Sequence, residues 1–149
     1  MVHEVHDLRC NISIFRQYQA LLFSFPYSLS ELRLILKIML KTVVDNGFPI
    51  INNLELYIID DLTISQINKK YLNCIGPTNI LSFPSDCEMP ASLFLSLDTI
   101  FRECVLYGQQ LDTYVLRLLA HGIGHLAGLD HGEIMDQLSE KCYDNTLDI

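Results

Sequence analysis

Three histidines late in the sequence, His121, His125 and His131, have the type and spacing to hold a metal ion. In His121-Gly122-Ile123-Gly124-His125 the two imidazoles are four residues apart, which on an α-helix puts both on one face, one turn above the other. His131 comes ten residues after His121. In an unbroken helix it would lie about 15 Å further along the axis, out of reach of an ion whose bonds to nitrogen are about 2 Å long. The helix must therefore end between them, and Gly128 stands where a left-handed residue can stop it and turn the chain back. Two histidines at helical spacing, a glycine and a third histidine form the metal-binding part of a zinc-protease signature. We expect one zinc ion on His121, His125 and His131, with a fourth position left open for a water. A structural zinc would need a fourth protein ligand, such as Cys142 or an aspartate, whereas three histidines with an open position is the arrangement of catalytic sites. An ion so held lowers the pKa of a bound water and polarises a carbonyl or phosphoryl oxygen. Imidazole also suits nickel, copper and iron. In the protease signature a glutamate follows the first histidine as general base; here that position is Gly122, which cannot take a proton, so the pattern argues against peptide hydrolysis. His3 and His6 have no partner pattern and read as ordinary histidines.

The elements that must position these side chains follow from hydrophobic spacing. Ser28 with Glu31 is a capping box, and Leu32, Ile35, Leu36, Met39, Leu40 and Val43 then recur at helical intervals until Asn46-Gly47. Leu54 to Ile59 reads as a largely buried strand, and Thr63 with Gln66 as the cap of a short helix reaching about Leu72 before Gly76-Pro77. Asn79 to Phe83 and Leu93 to Leu97 have strand length, and Cys10 to Ile14 alternates like a strand. The pattern turns helical from Thr99, and Leu111 to Ala127 is a long helix carrying His121 and His125. The expected fold is α+β: a single domain over residues 1–149, with a roughly four-stranded mixed sheet packed against several helices and the metal site on a helix and the loop after it.

Composition narrows the class. The 149 residues are half hydrophobic, enough for one core without disulfides. The five cysteines, Cys10, Cys74, Cys87, Cys104 and Cys142, form no C-x-x-C pair and are expected to be reduced and mostly buried. The longest apolar stretches, Ala20 to Phe25 and Leu34 to Leu40, are too short to span a bilayer. The opening residues lack the basic cluster and apolar run of a secretory signal, so a cytoplasmic location is expected. A formal charge of −8 argues against indiscriminate coating of nucleic acid, so a nucleic-acid substrate would have to meet a local basic patch. Arg33, Lys37 and Lys41 form a basic stripe on the first long helix and Lys69-Lys70 lie further on; the stripe would touch RNA only if it opened onto the metal cleft.

The run His121-Gly122-Ile123-Gly124-His125-Leu126-Ala127-Gly128-Leu129-Asp130-His131 resembles the signature of the bacterial YbeY family of rRNA maturation factors. Pro77-Thr78-Asn79-Ile80-Leu81-Ser82-Phe83-Pro84 is similar to that family's other hallmark. Ile67 to Tyr71 before it and Leu95 to Thr99 after it fall in the expected order, so the likeness runs from about Leu54 to His131. The resemblance implies a zinc-dependent, single-strand-specific endoribonuclease in 16S rRNA 3′-end maturation and ribosome quality control. It implies rRNA within a pre-ribosomal particle as substrate and ribosomal or GTPase proteins as partners, with no role for DNA or a membrane. Two positions depart from it: Leu72 stands where the family has an arginine, a ready phosphate contact, and Ala91-Ser92 where it has Gly-Asp.

Asp130, beside the third histidine, is a candidate to orient an imidazole or relay a proton. Ser82 and Phe83 read either as cleft wall or as strand-end and core residues. Two other readings stay open: a non-catalytic maturation factor in which the metal only ties the helix to its loop, and a metal-dependent hydrolase of another substrate.

Overall fold

The computed structural model describes residues 10–17 and 25–147. Most of the apolar stretch Ala20 to Phe25, together with His3 and His6, lies outside the described residues. Four strands, β1 (Asn11–Arg16), β2 (Asn53–Ile59), β3 (Ile80–Phe83) and β4 (Ala91–Ser96), form one sheet in the order β1-β2-β4-β3. The first three run parallel, and β3 pairs antiparallel with β4 at the edge. Among the described residues five helices accompany them: α1 (Leu29–Asp45), α2 (Asp61–Leu72), α3 (Leu97–Tyr107), α4 (Leu111–Leu126) and α5 (Glu133–Thr146). The α+β architecture with a four-stranded mixed sheet is the one the sequence leads us to expect.

Side chains alternate across each strand, so the sheet has two different faces. Leu54, Leu56 and Ile58 of β2 and Ala91, Leu93 and Leu95 of β4 point into the main core, where they meet Leu32, Leu36 and Met39 of α1 and Leu119 and Ile123 of α4. Each fully buried Leu or Ile contributes about 1.5–3 kcal/mol relative to exposure. The opposite face holds a smaller cluster in which Ile64 of α2 covers Ile59 and Leu81. The capping box on α1 forms as expected, with Glu31 N–H donating to Ser28 Oγ at 3.1 Å and Ser28 N–H to Glu31 Oε1 at 3.0 Å.

Several boundaries differ from the sequence reading. Helix α2 is capped by Asp60, whose carboxylate accepts from Thr63 N–H at 2.9 Å; Thr63 is thus the third helical residue, not the cap. Asn73, at φ 54°, ends α2 in the left-handed region before Gly76-Pro77 is reached. Strand β4 starts at Ala91 and hands over to α3 at Leu97, with Ser96 as N-cap. Helix α5 is absent from the sequence reading. Its buried positions Met135, Leu138, Cys142, Tyr143 and Thr146 do have helical spacing, but they are sparse in an otherwise polar segment. The cysteines are all free, yet less buried than expected: Cys104 and Cys142 are buried, Cys10 half-buried, and Cys74 and Cys87 exposed. Among the described residues no helix is long and apolar enough to cross a membrane.

Where the parallel strands end, Asp61 gathers a polar cluster. Its carboxylate accepts from Ser96 Oγ at 2.7 Å, Thr99 Oγ1 at 2.6 Å and Arg102 Nη1 at 2.6 Å, tying α2 to the β4–α3 junction. Burial alone would raise its pKa, but Arg102 and the two hydroxyls outweigh it and hold the carboxyl below its ordinary value of 3.8. A carboxyl depressed by folding stabilises the protein above its unfolded pKa, and that contribution disappears as pH falls through the folded value. Asp61→Asn should therefore lose about 1–2 kcal/mol at neutral pH. Its thermal midpoint should also fall less steeply than wild type below about pH 4; parallel acid melting curves for the two proteins would rule this out.

Gly122 sets how closely α4 seats on the sheet. A Cβ there would lie 2.7 Å from Ile80 Cδ1, 2.8 Å from Leu93 Cδ2 and 3.1 Å from Ser82 Oγ. Gly122→Ala should lower unfolding free energy by about 1–2 kcal/mol through overpacking. Gly122→Glu, which would push an unpaired charge into this seam, should cost more than about 3 kcal/mol. Urea denaturation reads both, and an unchanged midpoint for the glutamate variant would show that α4 does not rest on β3 and β4 through this residue.

Candidate metal centre

The chain reversal after α4 brings the three histidines together. Leu129 N–H donates to Gly124 O at 3.3 Å and Gly128 N–H to His125 O at 3.0 Å, with Gly128 at φ +90°. This pair of bonds is the Schellman arrangement, which a residue with a side chain would enter only under strain. The chain then folds back over the last turn of α4. The ring centroids are 4.8 Å apart for His121 and His125, 5.1 Å for His121 and His131, and 4.7 Å for His125 and His131. Each ring offers one nitrogen, and the three nitrogens lie within 4.8 Å of one another. Small χ rotations suffice to close such a set around one ion with bonds of about 2.0–2.1 Å.

The surroundings prepare the imidazoles as donors. His125 Nδ1 lies 3.1 Å from Leu129 O. A carbonyl can only accept, so Nδ1 carries the proton and Nε2 keeps its lone pair free for a metal. His121 is half-buried, and its pKa is lowered first by that burial and then by the neighbouring His125 and His131, with Asp136 opposing. A neutral imidazole is the form that binds metal. The donor set thus fits one divalent ion. Cys142 does not belong to it: the thiol is fully buried, its Sγ 3.7 Å from Met39 O on α1, and burial pushes its pKa up to about 12.

The histidines line an open cleft of about 690 Å³ between β3 and the end of α4. Asn79, Ser82 and Pro84 form one wall and Asp130 lies at the turn, so Asp130 faces the same space as the three histidines. Ser82 and Phe83 part company. Ser82 lines the cleft, whereas Phe83 points to the other face of the sheet and packs edge-on against Tyr71 and Phe94, each with centroids 5.7 Å away. The basic stripe of α1 does not open onto this cleft. Arg33 and Lys37 border a separate groove with Leu29 and Leu34, Arg33 also donates to Ile12 O, and Lys41 pairs with Asp45 at 2.7 Å. Leu72 and Ala91-Ser92, the departures from the family pattern, are likewise not among the residues that line the cleft. Sequence reasoning passed over Arg117, which does line it. The signal was present, since Arg117 precedes His121 by four residues, as His121 precedes His125, and so shares their helix face.

Comparison with known proteins agrees with this geometry. The family model described as Endoribonuclease YbeY matches residues 26–145. A relative in Lawsonia intracellularis named Endoribonuclease YbeY is 41% identical over 117 residues, 78% of this chain and 84% of that protein. One of the same name in Oleidesulfovibrio alaskensis is 37% identical, covering 78% of this chain and 81% of its own. The solution structure of a Thermotoga maritima protein superposes with a TM-score of 0.63 over 92% of this chain and 89% of that one, at 16% identity, a likeness of fold. With the histidine centre, the β3 wall and nearly the whole folded region inside one family model, the chain belongs to the Endoribonuclease YbeY family.

Proposed function

We propose that this protein is a zinc-dependent, single-strand-specific endoribonuclease acting in 16S rRNA 3′-end maturation and ribosome quality control. Its substrate would be rRNA in a pre-ribosomal particle, with ribosomal or GTPase proteins as partners. The observation that carries the reading is the set of three imidazole nitrogens within 4.8 Å of one another in an open cleft, in a chain of this family. His121, His125 and His131 would hold the ion, which when bound supplies Lewis acidity to a phosphoryl oxygen and acidifies water.

The protein's own groups would do the rest. Leu129 O fixes the His125 ring through Nδ1, so that this ligand is oriented before metal arrives. Ser82, on the opposite wall, presents its hydroxyl to a strand lying in the cleft, while the side-chain amide of Asn79 is held by Glu103 at 2.9 Å and by Ile80 N–H at 2.7 Å. Asp130 is the carboxylate among the residues lining the cleft and would orient a histidine or carry a proton between substrate and solvent. Gly122 carries no group that could hold a proton and packs against Ile80 and Leu93, so position 122 takes no part in proton transfer.

The test is cleavage of a labelled 16S rRNA precursor by purified protein, with and without chelator, with metal content measured in each preparation. Wild type should cut only when metal is present. His125→Ala should lose metal and reduce cutting by at least about a hundredfold while still unfolding cooperatively, since the main core does not depend on the ion. Bound zinc without cutting in wild type would instead favour the non-catalytic maturation factor. Asp130→Asn should keep its zinc and cut roughly ten- to a hundredfold more slowly. Full activity in that variant would dismiss the role given to Asp130.

A further inference from the structure

An arginine forms part of the histidine cleft's lining. Arg117 sits one helical turn before His121, about 6 Å along the axis of α4, and lines the same cleft. Its guanidinium is not a free surface charge: its central carbon lies 3.9 Å from the Tyr143 ring centroid, and Nη1 reaches Glu140 Oε2 at 3.2 Å. Both partners belong to α5, so stacking and one hydrogen bond fix the plane of the fork. Among the described residues that line the cleft Arg117 is the only lysine or arginine. The side chain is still half-exposed, and Glu140 occupies one of five N–H donors. A guanidinium held in this way is pre-organised for a tetrahedral anion, which it can meet with two parallel N–H bonds.

We propose that Arg117 is a phosphate-binding residue, gripping a backbone phosphate of the single strand next to the one at the histidines. This rests on the ribonuclease reading above. It makes Arg117 a positioning residue: it sets the register of the strand across the cleft and does not touch the scissile bond. Glu140 and Tyr143 aim the guanidinium and restrain it when no RNA is bound. The ordinary alternative is that the Arg117–Glu140 pair only staples α4 to α5. Such half-exposed pairs contribute little to stability, and a staple predicts no effect on RNA.

The two are separated by steady-state cleavage of a short labelled single-stranded oligoribonucleotide across a salt series, by the metal-loaded wild type, Arg117→Ala, Arg117→Lys and Glu140→Gln. Arg117→Ala should raise KM by roughly ten- to a hundredfold with a much smaller change in kcat. Its plot of log affinity against log salt should be shallower by about 0.7, the slope of one lost phosphate contact on a single strand. Arg117→Lys should recover the slope but only part of KM, since an ammonium keeps the charge and loses the fork. Glu140→Gln, which breaks the staple and keeps the arginine, should bind RNA at least as well as wild type. Wild-type KM and salt slope in Arg117→Ala would overturn the proposal and leave the ribonuclease reading standing. Equal losses in Arg117→Ala and Glu140→Gln would also overturn it, in favour of the staple. A wild type that neither cuts nor binds the oligonucleotide would remove both readings together.

Discussion

The centre depends on the chain reversing at the end of α4. Without the left-handed Gly128 the helix would carry His131 away from its partners; with it, the next residues fold back and Leu129 offers its carbonyl to His125. One backbone event thus brings in the third histidine and fixes the tautomer of the second. It also leaves the cluster at the carbonyl end of a helix, where the macrodipole favours positive charge. Two opposing demands meet there: burial and the neighbouring rings disfavour a proton on His121, while the dipole welcomes positive charge. A divalent metal satisfies both, because it brings the positive charge without requiring any imidazole to take a proton.

The second constraint is the close seat of α4 on the sheet. Gly122 faces Ile80 and Leu93, and Gly124 faces Met135 and Ser139 of α5, where a Cβ would come within 3.1 Å of both. The two glycines between the histidines therefore face the layers on either side of the helix. That leaves His121 and His125 on the strip of α4 facing the cleft. The helix is positioned by what it lacks, since any larger side chain at these points would lift the histidines away from β3 and from α5.

Much of this was legible in the sequence because it rests on local chemistry. The capping box at Ser28, the apolar rhythm of α1 and α4, the strand-length runs and the glycine after the second histidine each express a rule that acts within a few residues. What escaped depends on partners distant in the chain. Thr63 and Gln66 imitate a cap, but the carboxylate of Asp60 competes for the same N–H and wins. Strand β4 begins at Ala91 because β2 supplies a pairing partner, Leu54, which no local propensity reveals. Helix α5 earns its stability from packing on α1 and α4 through a few buried side chains, so its polar segment carries only a faint signal. The basic stripe on α1 misled for the same reason: its spacing was real, but the groove it borders is not the one that holds the histidines.

The comparison with zinc proteases shows how a shared ligand spacing can serve different chemistry. In the protease signature the residue after the first histidine must face the metal side to act as a base. Here the same position is a glycine seated against Ile80, Leu93 and Ser82, where even the first carbon of a glutamate side chain would collide with them. The glycine edge of the helix packs and its histidine edge opens onto the cleft. Any proton carrier must then come from the loop beyond Gly128 or from the β3 wall, the two sides of the cleft that α4 does not supply. An acidic protein of charge −8 would also have to attract a polyanion to this spot against its overall field. Arg117, one turn before His121, and a metal ion held by the histidines would together supply that local attraction, because fields from charges further than a Debye length are screened while those in the cleft are not.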